Sequence, residues 1–187
     1  MSTSHHNFLI VGAQRTGSSA LAEMLDTHPK IAVGWEWTER APWLYKIKRL
    51  EAYLAGDFAT LRPEARDHIE ASLEPTTQWL GFRRLFGASD RWLGHPRFSA
   101  KLALDRFNAH KIWLQQHPDV RLVHIVRNDH VSWLKSKYVA RAAGNFVGNT
   151  HPEDLRVTVP LAPAVARVKA KIWLDDEFAG LCQTNPY

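Results

Sequence analysis

The 187-residue chain carries a single cysteine, Cys182, and only two methionines. One cysteine excludes an internal disulfide and fits a reducing compartment. Long apolar runs are missing too. The clearest, FLIV at residues 8–11, falls far short of the about 20 residues that cross a bilayer. The opening MSTSHHNF has neither the basic start nor the apolar stretch of a secretory signal. A cytoplasmic protein without stable membrane insertion is therefore expected. There is no Lys/Arg-rich run, zinc-ligand spacing or aromatic RNA-binding signature, which argues against a nucleic-acid partner. Lys and Arg nevertheless outnumber Asp and Glu by 24 to 19, a net charge of +5 that favours anionic partners. Four His-Pro pairs, at 28–29, 95–96, 117–118 and 151–152, read as helix stops and turns rather than metal ligands, and no metal is expected. No Ser-His-Asp or Cys-His arrangement can be assigned from spacing; Cys182 is expected to pack against the core.

What is present suits one domain over residues 1–187. The hydrophobic content of 45% and aromatic content of 11% are those of a globular chain with a sizeable core. Phe8–Val11 reads as a buried strand that stops at a glycine. A helix follows from Ser18 to about Asp26, with Leu21, Met24 and Leu25 on one apolar face. Ile31–Val33 and Gln78–Phe82 read as strands, and Leu122–Val126 as a second clear buried one. Helices are expected near Leu44–Leu54, Arg62–Ser72, Phe107–Gln116 and from Asp129 to Ala142. In that last segment Val131, Leu134 and Tyr138 recur at helical spacing. Gly87–Pro96 and Gly144–Pro163 read as loops, and Val165, Val168, Ile172 and Ala179 support a final helix. Strand-loop-helix units at both ends of the chain predict an α/β protein, a parallel sheet flanked by helices. Ligands in such sheets bind at the carboxyl ends of strands, which places Gly12–Ser19 and Arg127–Ser136 together.

The stretch FLIVGAQRTGSSAL at residues 8–21 has the G-x-x-x-x-G frame of a phosphate-binding loop, but Ser18 stands where lysine would be. What remains is backbone N–H groups, the positive end of a helix, and the hydroxyls of Thr16, Ser18 and Ser19. Arg15 adds a cation whose forked donors fit an oxyanion. Such a set suits a phosphate bearing a less charged group and needs no metal. An ordinary strand-to-helix turn with capping serines and an exposed arginine would use the same residues.

AQRTGSSALAEML (13–25) resembles the 5′-phosphosulfate loop of sulfotransferases that use 3′-phosphoadenosine 5′-phosphosulfate, PAPS. LVHIVRNDHVSWLKSKYVAR (122–141) is similar to that family's second motif, a strand ending in arginine and then a helix carrying serine. The likeness is greatest to bacterial carbohydrate sulfotransferases of the nodulation-factor and trehalose-glycolipid type. It implies a three-layer α/β fold related to P-loop nucleotide kinases. It also implies that Gln14, Arg15, Thr16, Gly17, Ser18 and Ser19 grip the 5′-phosphosulfate, while Arg127 and Ser136 hold the 3′-phosphate. Ser132, one helical turn before Ser136, is the rival for that last role. The Gly-Phe-Lys motif often seen mid-chain in the family appears here as Gly81-Phe82-Arg83, and Lys101 is another cation. The family usually continues into a further strand where IWLDDEFAGLCQTNPY ends, so the resemblance implies a domain lacking its C-terminal part.

Glu36 and Glu39 follow the Ile31–Val33 strand and are three residues apart, so in a helical turn they share a face. The resemblance implies that this Glu-x-x-Glu pair includes the base that takes the acceptor's proton, with Arg15 as the other catalytic residue. Trp35, Trp37 and Trp43 lie beside them and suit either stacking on sugar rings or packing of the domain. The expected activity is sulfuryl transfer from PAPS to a hydroxyl of a carbohydrate or glycolipid, in a protein free to form a homo-oligomer. A non-catalytic PAPS- or phosphoadenosine-binding homologue and a P-loop kinase are the alternatives; Ser18 disfavours the second.

Overall fold

The computed structural model describes residues 6–34, 50–53, 55–60, 63–73, 75–85, 111–144 and 155–184. In chain order these hold β1 (His6–Gly12), α1 (Ser18–Asp26), β2 (Ile31–Gly34) and a short 3-10 turn (Phe58–Thr60). Then come α2 (Pro63–Ser72), β3 (Trp79–Leu85), β4 (Arg121–Ile125), α3 (His130–Ala142) and α4 (Leu161–Thr184). Residues 50–53 and 111–116 are also helical. The strands form one four-stranded sheet in the order β2-β3-β1-β4, and every pairing is parallel.

β1 shows why the FLIV run is apolar throughout rather than alternating. Phe8 and Ile10 point into a core with Ala22 of α1 and Val33 of β2. Leu9 and Val11 point the other way, into a larger core with Ile69, Trp113, Leu114, Leu174 and Phe178. A parallel strand covered by helices on both faces must be apolar on both. The result is a three-layer α/β arrangement, with α1 on one side and α2, residues 111–116 and α4 on the other.

Polar ties hold the layers in register. Asp26, at the end of α1, accepts a hydrogen bond from the Val33 N–H at 2.8 Å. The buried Tyr53 hydroxyl accepts from the Gly34 N–H at 2.9 Å and donates to the Gly81 carbonyl at 2.7 Å, fastening the end of β2 to β3. Burial pushes the Tyr53 hydroxyl pKa well above its ordinary value, so it stays a neutral donor. No helix of the described residues is long and apolar enough to cross a membrane.

Several expected faces turn out differently. Met24 is 63% exposed; α1 instead buries Ser18 and Ala22 and packs Leu21 and Leu25. In α3, Val131 is 79% exposed, and the buried side chains are Trp133, Lys137, Tyr138 and Ala140. α4 starts at Leu161, inside the expected loop. Pro163 is compatible with that start because the first helical turn has no intrahelical N–H bonds to lose. Its buried face is Ala164, Arg167, Lys171, Leu174, Asp175, Phe178 and Leu181, while Val165 and Ile172 are largely exposed. Charged side chains lie on the buried face, so apolar spacing pointed to the wrong stripe. β4 is likewise not fully buried: it is an edge among the described residues, and Val123 and the adjoining Val126 reach solvent. Cys182 is half-buried, and burial raises its thiol pKa.

Candidate functional site

The strand order reverses at β1. The chain leaves β1 toward β2 and β3 on one side and later places β4 on the other. A parallel sheet opens a crevice at such a point, beyond the carboxyl ends of the two strands. Here those ends are Gly12 and Ile125, which are register partners. A Cβ on Gly12 would stand 2.6 Å from the Ile125 carbonyl oxygen, so only glycine lets β4 come this close. The loop after β1 and the segment after β4 are thereby forced together.

The loop is a tight, strained turn. Arg15 has φ 68° and Gly17 φ 99°. The left-handed region is costly for any residue with a Cβ, so Arg15 is held there by its surroundings. Thr16 Oγ1 donates to the Ala13 carbonyl at 2.8 Å, closing the turn from within. Gly17, not Ser18, is the N-cap of α1, and no side chain caps it. The helix therefore starts with N–H groups that no capping side chain covers, a positive end suited to an anion.

Three contacts join this loop to the segment after β4. Arg15 Nε donates to Ser136 Oγ at 2.9 Å, across 121 residues of sequence. Arg127 Nη1 donates to the Arg15 carbonyl at 3.4 Å. Trp133 Nε1 donates to the Gln14 carbonyl at 2.7 Å. Of the two serines weighed from the sequence, Ser136 is the one that meets Arg15. The Ser132 N–H donates to Asp129 Oδ1 at 2.9 Å as part of the α3 cap. Hydrogen bonds from Ser132, with Arg127 nearby, hold the Asp129 carboxyl below its ordinary pKa.

Arg15, Thr16, Gly17, Arg127 and Ser136 thus lie together beyond the carboxyl ends of β1 and β4, with Gln14 contributing its carbonyl to the α3 side. Ser18 is buried at the root of α1, and Ser19 is exposed one residue on. Arg83 lies in β3, in register with Ile10. Glu36, Glu39, Trp35, Trp37, Trp43 and Lys101 lie outside the described residues.

A charged cluster behind the loop went unread in the sequence. Lys137, Arg167, Lys171 and Asp175 are all buried between α3, α4 and β4. Lys171 hydrogen-bonds Asp175 one turn along α4, and His124 Nε2 of β4 stands 3.6 Å from the other Asp175 oxygen. Burial pushes the Asp175 carboxyl up, but the His124 and Lys171 contacts outweigh it and hold the pKa below the ordinary value. Arg167 lies over the Tyr138 ring at 4.8 Å. The one legible signal was the i, i+4 spacing of Lys171 and Asp175, which also occurs on solvated helix faces.

A family model described as the sulfotransferase family matches residues 7–165. That span includes both motifs and all of the described strands but His6 at the start of β1, and the chain belongs to the sulfotransferase family. The match ends short of the terminal segment on which the expectation of a missing C-terminal part rested. No curated protein matches the chain.

Proposed function

We propose that the protein transfers the sulfuryl group of PAPS to a hydroxyl of a carbohydrate or glycolipid acceptor. Membership of the sulfotransferase family carries sulfuryl transfer in general, and PAPS is the donor that family generally uses. The observation that bears most on the donor is the meeting of Arg15 with Ser136 at 2.9 Å, beside Arg127. Two cations, a hydroxyl and an uncapped helix start in one crevice match a ligand with more than one anionic group.

PAPS, when bound, supplies an activated sulfuryl group on its 5′-phosphate. In this reading the N–H groups of Arg15 to Ser19 and the Arg15 guanidinium bind the 5′-phosphosulfate. Arg127 and Ser136 bind the 3′-phosphate, so the pair of sites measures the separation of the two anions. Arg15 opposes the negative charge that collects where the sulfuryl group leaves, a role in which fixed donors act strongly. Glu36 or Glu39 accepts the proton of the acceptor hydroxyl. A carbohydrate or glycolipid acceptor is supported by the resemblance of the two motifs and by the tryptophans near residue 36.

The test is a calorimetric comparison of adenosine 3′,5′-bisphosphate with adenosine 5′-monophosphate, followed by transfer of labelled sulfate from PAPS to a panel of sugars. The bisphosphate should bind at least about tenfold tighter, the contribution of one charge-assisted contact pair. Equal affinities would remove Arg127 and Ser136 from the donor site.

A further inference from the structure

We infer that Trp133 is a positioning residue of the donor site, setting the peptide that turns the Arg15 N–H toward the 5′-phosphosulfate. The inference rests on the reading of the loop as a PAPS cradle. Its starting point is the hydrogen bond from Trp133 Nε1 to the Gln14 carbonyl, 2.7 Å long and 119 residues distant in sequence. The described peptides contain no cis bond. In a planar trans peptide the C=O and the following N–H point in opposite directions. Anchoring the Gln14 carbonyl on the α3 side therefore turns the Arg15 N–H away from α3. Arg127 does the same at the next peptide, where it holds the Arg15 carbonyl at 3.4 Å and so turns the Thr16 N–H. Consecutive N–H groups turned to one side about a left-handed residue make a concave anion-binding pair. Arg15, with φ 68°, is that residue.

Trp133 is built to hold such a position. Its side chain is in a residue only 2% exposed. Lys137 Nζ lies 5.1 Å from the ring centroid and Lys171 Nζ 5.7 Å, both within cation–π range. These lysines are themselves buried, at 5% and 3% exposure. Lys171 is held in turn by Asp175, beside His124 of β4. The indole is thus gripped by cations from its own helix and from α4, and its N–H is the only polar atom it can present to the loop. This gives the buried charged cluster a purpose that packing alone does not: it fixes the ring whose N–H fixes the cradle.

The experiment uses the whole chain with two probes, adenosine 3′,5′-bisphosphate and adenosine 3′-phosphate, which lacks the 5′ anion. Trp133→Phe keeps a ring between the lysines and deletes the donor. Replacing Trp133 by benzothienylalanine, with sulfur in place of the N–H, deletes the donor while preserving shape, so folding is not at issue. Both replacements should weaken the bisphosphate about five- to tenfold, the range of one buried hydrogen bond. The 3′-phosphate should change by less than about twofold, because its partners Arg127 and Ser136 are intact. An unchanged bisphosphate affinity, or an equal loss for both probes, overturns the positioning role and leaves the donor reading standing. A wild-type protein that binds neither probe overturns the donor reading and this inference with it.

Discussion

Arg15 combines two properties that can be separated by substitution. Its side chain reaches Ser136, and its backbone sits at φ 68°. Arg15→Ala keeps the unfavourable backbone and removes the guanidinium. A hydrogen bond to a charged group is worth about 1.5–3 kcal/mol, so turnover with PAPS should fall roughly ten- to a hundredfold. Arg15→Gly removes the same side chain and relieves the left-handed strain. It should be more stable than Arg15→Ala by about 1 kcal/mol in denaturant titrations, with the same loss of turnover. Wild-type turnover in either variant would reduce Arg15 to a surface residue. The cation at position 15 was legible in the sequence because a loop without its lysine invites a substitute. Its left-handed backbone was not, since arginine has no preference for that region and is held there only by tertiary contacts.

At the scale of elements, strand and helix limits were largely readable, while the buried faces of α1 and α3 were readable only in part, through Leu21, Leu25 and Tyr138, and that of α4 was not. α1 occupies the expected Ser18–Asp26 because its stop at His28-Pro29 is written locally. The faces depend on what packs against them. Lys171 is inside with its partner Asp175, and Lys137, Arg167 and Lys171 lie against the rings of Trp133 and Tyr138, conditions no hydrophobic period reveals. Asp175 supplies a pH test of that cluster. Its pKa is lower in the folded chain than the usual carboxylate value, so below that usual value the unfolded chain binds more protons. Its contribution to stability is then complete above about pH 4 and fades as acid protonates the folded carboxylate. Asp175→Asn should lower the melting temperature at pH 6, and the gap to wild type should narrow as the pH falls below the usual carboxylate value of about 4. A gap that is constant with pH would mean that the charge of Asp175 is immaterial. Tyr53 offers a test at the β2–β3 junction. Tyr53→Phe leaves the Gly34 N–H and Gly81 carbonyl without the hydroxyl that joins them. Stranding buried polar groups costs about 1–3 kcal/mol, which a urea titration would register as a lower midpoint at unchanged slope.

For the whole molecule the decisive feature is the strand order, since it brings residues 12–17 and 127–136 to one crevice. The two motifs could be found in the sequence, and their meeting follows from the rule for open parallel sheets. The insertion of β3 between β2 and β1 had no such local signal, because it is decided by long-range pairing. That insertion bears on the base. β2 runs parallel with the other strands, and its end at Gly34 is level, through Phe82 of β3, with Leu9 of β1, three residues short of Gly12. Two strand spacings separate β2 from β1, roughly 10 Å. The three-residue offset adds roughly 10 Å along the strands, and an extended chain advances at most about 3.3–3.6 Å per residue, so about four to five residues after Gly34 span the distance to a group placed over the end of β1. Glu36 and Glu39 are the carboxylates in that range, and we propose that one of them takes the acceptor's proton. General-base catalysis contributes about 10²–10⁴-fold. Replacing the true base by glutamine should therefore lower turnover by at least about a hundredfold while PAPS affinity, measured separately, stays near wild type. The other glutamate, replaced in the same way, should retain most of its turnover. A loss of PAPS affinity in parallel with turnover would instead mark the residue as a prop for the donor site. Near-normal turnover in both Glu36→Gln and Glu39→Gln would move the base away from this strand end, without touching the proposed donor site between β1 and β4.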